Sequence, residues 1–151
     1  MTRVFIDSSF FKAFVDPKDD FHTRAKGLWK KFVFHGQSLV TSNYILDETY
    51  TLIRCKLHLQ KALQLRGILS HDALNLDVIR VTVDDDACAW GWFEKNWSKL
   101  SFTDCVSFAV MKRIGLTDVA TFDTHFKRAG FTIVNTPIVN NQSQPLASSN
   151  N

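Results

Sequence analysis

The chain has 151 residues, a length that suits one domain with a substantial buried core. Its hydrophobic fraction of 45%, charged fraction of 22% and formal net charge of +3 exclude a highly charged unfolded chain and are ordinary for a globular protein. No apolar run approaches the roughly 20 residues of a membrane-spanning helix, and the N-terminus starts directly with a predicted strand, so we expect neither a membrane segment nor a signal segment.

The cysteines and aromatic residues constrain the cellular setting and the core. Cys55, Cys88 and Cys105 are odd in number and unclustered, which favours reduced thiols in the cytoplasm over a disulfide framework. The thirteen phenylalanines and four tryptophans are a heavy aromatic load, and we expect most of them in the core or at a dimer interface.

Strands and helices are predicted to alternate along the chain. The predicted strands cover residues 3–6, 39–41, 76–83, 119–122 and 131–134. The predicted helices cover residues 9–15, about 20–34, 43–56, 59–70, 84–97, about 102–114 and 124–128. This alternation indicates α/β winding around a parallel sheet. Residues 1–139 are therefore predicted to form a single domain, and the uncharged, Asn- and Ser-rich residues 140–151 a disordered tail.

Acidic residues follow the ends of predicted strands. Asp7 follows the first strand directly, and Asp123 stands at the end of the fourth. A helix that Ser101 or Thr103 can cap carries Asp104 in its first turn. Because parallel sheets bind ligands at the carboxyl ends of their strands, we expect these acidic side chains to gather at one edge.

Glu48 is a fourth acidic residue in an unusual position. It lies three residues after Ile45 and four before Leu52, and so shares their apolar face, whereas Asp47 points toward solvent. A carboxylate on a core-facing stripe costs several kcal/mol unless it is paired or bound to a cation. We therefore expect Glu48 to join the carboxylates at the edge of the sheet.

Four carboxylates at one place would repel each other and raise one another's pKa unless a cation compensated them. Mg²⁺ or Mn²⁺, bound by carboxylate oxygens and water, is the economical solution. Such a site suits hydrolysis of a phosphodiester bond, with the hydroxyl of Ser8 or Ser9 orienting a water or a phosphate oxygen. Taken singly, Asp7 and Asp123 are better explained as helix caps, and Asp104 as a partner of a helix dipole; only the four together favour the metal site.

Basic residues are grouped along the chain in a way that suits a phosphate-binding surface. The groups are Arg24, Lys26, Lys30 and Lys31; Arg54, Lys56 and Lys61; Lys112 and Arg113; and Lys127 and Arg128. A solvated helix face is the simpler explanation of any single group.

Three further features have unremarkable explanations. The run of three aspartates at residues 84–86 is better explained by a helix cap and dipole-favoured first-turn residues than by a metal motif. Cys105 is expected to be a buried, inert thiol rather than a nucleophile. His125 lies two residues after Asp123 and is expected to be a surface histidine rather than a substrate contact, and the scattered histidines form no zinc pattern.

An ordered set of short motifs resembles the PIN-domain family and, more narrowly, the VapC-like ribonuclease toxins of toxin–antitoxin pairs. The motifs are Asp7-Ser8-Ser9 after the first strand, Glu48 in the helix after the second strand, Thr103-Asp104 at a later helix start, and Thr121-Phe122-Asp123 followed by Phe126 and Gly130. The resemblance extends to about residue 134. It implies a three-layer α/β/α sandwich on a parallel sheet of about five strands.

The resemblance also implies an endoribonuclease that depends on Mg²⁺ or Mn²⁺. On this basis the catalytic residues are expected to be Asp7, Glu48, Asp104 and Asp123, with Asp7 and Asp104 as metal ligands. Ser9 falls on a small polar position and is expected to orient substrate or water. RNA, a cognate antitoxin protein and a second copy of the chain are the partners that the resemblance implies.

Two other functions are compatible with an acidic α/β fold. A phosphoacceptor signalling domain would need a reactive aspartate after a middle strand, and Asp84 follows the predicted strand at residues 76–83, but no lysine follows a later strand suitably. A non-catalytic RNA-binding protein of the same fold would have no need to keep Glu48 facing inward.

Overall fold

A parallel five-stranded sheet runs through residues 2–135, the part of the chain that the computed structural model describes. Its strands are β1 (Arg3–Ile6), β2 (Ser38–Ser42), β3 (Leu76–Ile79), β4 (Asp118–Ala120) and β5 (Thr132–Ile133), in the spatial order β3-β2-β1-β4-β5. In the central strand, Phe5 lies opposite Val40 of β2 and Val119 of β4. The predicted parallel sheet of about five strands in an α/β/α fold is confirmed, while the predicted tail at residues 140–151 lies outside the described residues.

Seven helices connect and cover these strands within residues 2–135. They are α1 (Ser8–Val15), α2 (His22–Phe34), α3 (Asn43–Lys56), α4 (Leu59–Leu69), α5 (Val83–Phe93), α6 (Phe102–Arg113) and α7 (His125–Arg128). The side chains of Asp7, Ser42 and Ser101 accept backbone N–H bonds at the starts of α1, α3 and α6, as N-caps do. No helix among the described residues is both long and apolar enough to cross a membrane.

The core lies around β1 and α6. Val4, Phe5 and Ile6 of β1 are completely buried, because the central strand has strands on both sides and helices on both faces. Every residue of α6 from Asp104 to Met111 is buried as well. This burial holds the start of α6 rigidly beside the end of β1.

The third strand is the main departure from the predicted elements. It ends at Ile79 rather than at residue 83, and it lies at the edge of the sheet, where Val78 is 42% exposed. Thr82 ends the extended stretch, because its side chain and that of Asp85 exchange hydrogen bonds with each other's backbone N–H in a capping box that starts α5. Asp84 therefore follows an edge strand and lies in the first turn of α5, so it does not take the place after a middle strand that the phosphoacceptor hypothesis gave it.

One helix and one further strand also end earlier than predicted. Helix α5 ends at Phe93 rather than at residue 97, and β4 ends at Ala120 rather than at residue 122. After β4 the backbone N–H groups of Phe122 and Asp123 donate to the hydroxyls of Ser9 and Thr121, so the chain leaves the sheet here.

The run of aspartates at residues 84–86 serves the fold. Asp85 is buried and accepts two short hydrogen bonds from Arg113, at 2.7 and 2.8 Å, which join the start of α5 to the end of α6. The Arg113 guanidinium is the main reason that the pKa of Asp85 is lowered. The structural explanation of this run is therefore correct in placing the aspartates in the first turn of α5, but wrong in making one of them the N-cap, which is Thr82.

We expect Asp85→Asn to lower the free energy of unfolding by about 2 kcal/mol, because it weakens a charged, bidentate hydrogen bond and one half of the capping box. Chemical denaturation at neutral pH measures the change. Asp84→Asn is the matched control, since Asp84 is exposed in the same helical turn. Equal losses of stability in both variants would contradict the structural role of Asp85.

Candidate active site

Four carboxylates from different parts of the chain line one pocket at the carboxyl edge of the sheet. Asp7 follows β1, Glu48 lies in α3, Asp104 lies in the first turn of α6, and Asp123 follows β4. We call this cavity, of about 450 Å³, the carboxylate pocket. The four acidic residues that the sequence singles out are therefore brought together by the fold.

Asp7 is the most deeply buried of the four, at 1% exposure. Its Oδ2 accepts hydrogen bonds from Ser9 Oγ at 2.8 Å and from Thr121 Oγ1 at 2.9 Å. Its Oδ1 is also buried, yet has no hydrogen-bond partner among residues 2–135. Burial raises the pKa of Asp7, and the hydrogen bonds from Ser9 and Thr121 offset this only in part.

Asp104 is held by the capping box of α6. The N–H of Ser101 donates to Asp104 Oδ2 at 3.3 Å, and the N–H of Asp104 donates to Ser101 Oγ at 3.0 Å. Burial, followed by the negative charges of Asp7 and Asp123, raises the pKa of Asp104 to about 8. The capping box accounts for an aspartate at this position of α6. The start of the helix alone does not offset its negative charge, since the pKa of Asp104 stays raised.

Glu48 lies half-buried on the pocket side of α3, while its neighbour Asp47 is exposed. Burial raises the pKa of Glu48; the Ser8 hydroxyl lowers it, and the charge of Asp7 raises it further. The inward orientation of Glu48 therefore agrees with its place on the apolar face of the helix.

Ser9 and Thr121 form a small network that holds Asp7. Their hydroxyl oxygens are 3.0 Å apart, and Ser9 Oγ also accepts from the N–H of Phe122 at 3.0 Å. The Ser9 hydroxyl is thus already bonded on several sides, so its contacts favour a role in positioning Asp7. Thr121 and Asp7 are 114 residues apart in the chain. The local sequence around Thr121 therefore gave no sign of this contact.

His125 is part of the site, and its prediction as a surface histidine is wrong. Its side chain is only 17% exposed, with Nδ1 at 2.8 Å from Asp123 Oδ1 and 4.0 Å from Asp104 Oδ2. Nε2 lies 2.8 Å from the carbonyl oxygen of Ser98, and the ring stacks against Trp97. Burial alone would lower the pKa of His125, but Asp123, the Ser98 carbonyl and Asp104 outweigh it and raise the pKa.

The spacing of Asp123 and His125 was the one sequence signal for this contact. A carboxylate followed two residues later by an imidazole is too common to identify a site by itself. The deciding contacts come from Ser98 and Trp97, which lie on a separate loop.

The donor groups of the pocket fit a divalent cation. Oxygen or nitrogen atoms of Asp104, Asp123 and His125 lie within 4.8 Å of one another. Asp7, predicted as a metal ligand, is not part of this three-residue group, although its buried Oδ1 has no hydrogen-bond partner among residues 2–135. Oxygen-rich sets of this kind suit hard divalent ions, and a cation would remove the repulsion that raises these pKa values.

Two lysines also line the carboxylate pocket. Lys12 forms salt bridges with Asp16 at 3.0 Å and Asp19 at 2.7 Å, so its positive charge is largely compensated within the protein. Lys99 is the one non-glycine residue among residues 2–135 with a left-handed backbone, at φ 58°. A residue in this conformation is uncommon and often occurs at functional sites.

Cys105 takes no part in this chemistry. Its side chain is fully buried inside α6, and burial followed by the charge of Asp104 raises the pKa of its thiol to about 11. The prediction of a buried, inert thiol is confirmed.

Comparisons with known proteins agree on one family. The PIN domain family model matches residues 4–132. The chain is 33% identical over 132 residues to the 23S rRNA-specific endonuclease VapC20 of Mycobacterium tuberculosis, from strains CDC 1551 / Oshkosh and ATCC 25618 / H37Rv, covering 87% of this chain and 97% of each relative.

Two solved structures are similar as well. The crystal structure of Mycobacterium tuberculosis VapC20, described as a Sarcin-Ricin loop cleaving toxin, superposes with a TM-score of 0.75 at 32% identity, covering 89% of this chain and 99% of that one. The structure of FitAcB from Neisseria gonorrhoeae gives a TM-score of 0.60 at 17% identity over 86% of this chain and 95% of that one, and it supports the fold alone.

We expect the metal-free protein to lose stability as the pH rises from about 4 to about 8. The pKa of Asp104 is 3.8 ordinarily and about 8 in the folded state, so the folded state binds more protons between these values and stability falls as pH rises through them. The raised pKa of His125 acts in the same direction. Thermal unfolding in a chelator, followed across this pH range, measures the effect.

Asp104→Asn should flatten this pH dependence and raise the melting temperature at the alkaline end, because the uncompensated charge is gone. A wild-type melting temperature that increases from about pH 4 to about pH 8 would contradict the buried carboxylate cluster.

Proposed function

Because the chain belongs to the PIN-domain family, we propose that the carboxylate pocket is the active site of an endoribonuclease toxin that cleaves ribosomal RNA. Endonuclease activity on RNA follows from the family and from the VapC20 relatives, so the predicted RNA nuclease is confirmed at that level. The 33% identity over nearly the full length of relatives named for 23S rRNA supports ribosomal RNA as the substrate class.

One observation carries the assignment of the site. Asp7 is a buried carboxylate at the end of the central strand, and one of its oxygens has no hydrogen-bond partner among the described residues. A purely structural aspartate would have both oxygens satisfied, because an unmet buried acceptor costs about 1–3 kcal/mol. The free oxygen is therefore available to bind a cation in the pocket.

We assign the metal to Asp7 and Asp104, with Asp123 and His125 completing or orienting its ligand set. When bound, Mg²⁺ or Mn²⁺ would supply positive charge that polarises a phosphodiester group and stabilises its attacking and leaving oxygens. Ser9 and Thr121 hold Asp7 in place through their hydrogen bonds to Oδ2.

Glu48 is the group best suited to accept a proton from the attacking water. Its pKa is raised, it is half-buried, and it lines the same pocket as Asp7, Asp104 and Asp123. Lys99, on the rim of the same pocket, is placed to contact a phosphate oxygen of the RNA.

A homodimer and a protein antitoxin belong to the same proposal. Helix α5 exposes Val83 at 86%, Trp90 at 53% and Phe93 at 40%, and large apolar side chains grouped on one helix suit a protein interface. An antitoxin is proposed on family grounds, since VapC-like toxins act in pairs with one.

Asp7→Asn should reduce RNA cleavage by at least about 10³-fold, because it replaces the free carboxylate oxygen with a neutral amide. The assay follows cleavage of ribosomal RNA in Mg²⁺ or Mn²⁺ with the folded state checked by circular dichroism. Asp47→Asn is the matched control, because Asp47 is exposed beside Glu48, and it should cleave as the wild type does. Wild-type cleavage by Asp7→Asn would rule out this site.

The role of His125 is tested by metal binding rather than by activity. We expect His125→Gln to weaken Mn²⁺ binding about tenfold, because the Asp104, Asp123 and His125 atoms are arranged as one ligand group. Isothermal titration and the Mn²⁺-induced shift in melting temperature both report it. His35→Gln, on an exposed histidine, is the control. Unchanged Mn²⁺ affinity in His125→Gln would leave His125 as a structural partner of Asp123.

A further inference from the structure

A second cavity adjoins the carboxylate pocket and differs from it in charge. It has a volume of about 310 Å³ and lies between α2 and the segment after β4. Its lining includes Thr23, Arg24, Gly27, Lys31, Thr121 and Phe122. We call it the basic cavity, since none of the described residues that line it is acidic and two carry positive charge.

The two cavities share a wall. Phe122 lines both of them, and Thr121, which donates to Asp7 Oδ2, lines the basic cavity. The ring of Phe122 is fixed between Phe10, at 5.9 Å, and Phe21, at 4.5 Å, with nearly parallel planes. A polymer bound with one phosphate in the carboxylate pocket would therefore meet the basic cavity with its neighbouring unit.

Arg24 is oriented for anion binding by its surroundings. Its guanidinium carbon lies 5.8 Å from the centre of the Phe21 ring and 5.6 Å from that of Phe122, and its Nη2 donates to Asn135 at 3.1 Å. These contacts fix the guanidinium plane and leave most of its five N–H donors unused among the described residues. A planar, pre-oriented guanidinium suits a phosphate, which it can bind through two parallel hydrogen bonds.

The remaining lining suits the other parts of a nucleotide. The half-buried ring of Phe122 supplies apolar surface, with small contributions from Leu28 and Val134, and Lys31 adds a second positive charge one turn along α2 from Gly27. A Cβ atom added at Gly27 would meet no other atom within 4 Å, so the helix here is open to the cavity. An apolar floor with a basic rim fits a base and its phosphate together.

We propose that the basic cavity is a nucleotide subsite, which holds the residue of the RNA strand next to the scissile phosphate. Arg24 and Lys31 bind the flanking phosphate, and the apolar wall contacts the base or sugar. This inference rests on the proposed function, because it extends the RNA path from the carboxylate pocket.

Gly27→Leu tests the space of the subsite without changing charge. The new side chain would fill the cavity without a clash, and leucine favours a helix more than glycine does, so the fold should be retained. We expect RNA binding to weaken about tenfold, measured by fluorescence anisotropy with labelled single-stranded RNA in an Asp7→Asn background that cannot cleave it. Gly67→Leu is the control, because Gly67 is an exposed, equally open glycine in α4 and lies outside both cavities.

Lys31→Gln tests the charge. It should weaken binding severalfold and lower the slope of log affinity against log salt concentration by about 1, as expected for loss of one phosphate contact. Lys26→Gln removes the same charge from the same helix outside the cavity, and its effect should be much smaller. In the cleaving protein, Gly27→Leu and Lys31→Gln should raise KM while leaving kcat nearly unchanged.

The outcomes separate this inference from the proposed function. If the wild type binds and cleaves RNA while Gly27→Leu and Lys31→Gln match it in affinity and KM, the subsite is wrong and the active site stands. If these variants lose only binding to a protein antitoxin, the cavity belongs to that partner and the subsite is again wrong. If the wild type neither binds nor cleaves RNA, both proposals fail together.

Discussion

The buried carboxylate of Asp7 is the constraint on which the rest of the site depends. It stands at the end of the central strand, where its own N–H donates to the carbonyl oxygen of Ala120 at 3.1 Å. Two hydroxyls bind one of its oxygens, and the other oxygen remains without a partner among the described residues. Burial of this kind is tolerated when a cation completes the site, so the fold stores electrostatic repulsion that metal binding can release.

The strand order determines which residues can reach Asp7. Because β4 lies directly beside β1, the segment after β4 brings Thr121 and Asp123 to the same edge. The capped start of α6 adds Asp104, and the inner face of α3 adds Glu48. Each carboxylate sits where a local rule allows it, as a cap or on a helix face, and only their convergence is unfavourable without a cation.

The sequence predicted those parts of the site that follow local rules. Asp7 and Asp104 occupy helix starts, and Glu48 lies on an apolar helix face, so strand ends and helix periodicity were enough to select them. His125 was missed because its environment is made by Ser98 and Trp97, whose approach depends on tertiary packing.

The third strand was predicted to be four residues too long for a similar reason. The alternation of Val78, Arg80 and Thr82 continues the pattern of a strand, but the capping box of Thr82 and Asp85 starts a helix and overrides it. Its position at the edge of the sheet could not be read from alternation, because periodicity gives no order of strands in space.

The wall between the two cavities joins the proposed nucleotide subsite to the surroundings of Asp7. Thr121 contacts Asp7 on one side and lines the basic cavity on the other, and Phe122 beside it is clamped between two aromatic rings. Under the proposed function, this packed wall would limit how far Asp7 moves when RNA binds in the basic cavity. Pre-organisation of Asp7 would then come from the aromatic packing of α1 and α2 as much as from its own hydrogen bonds.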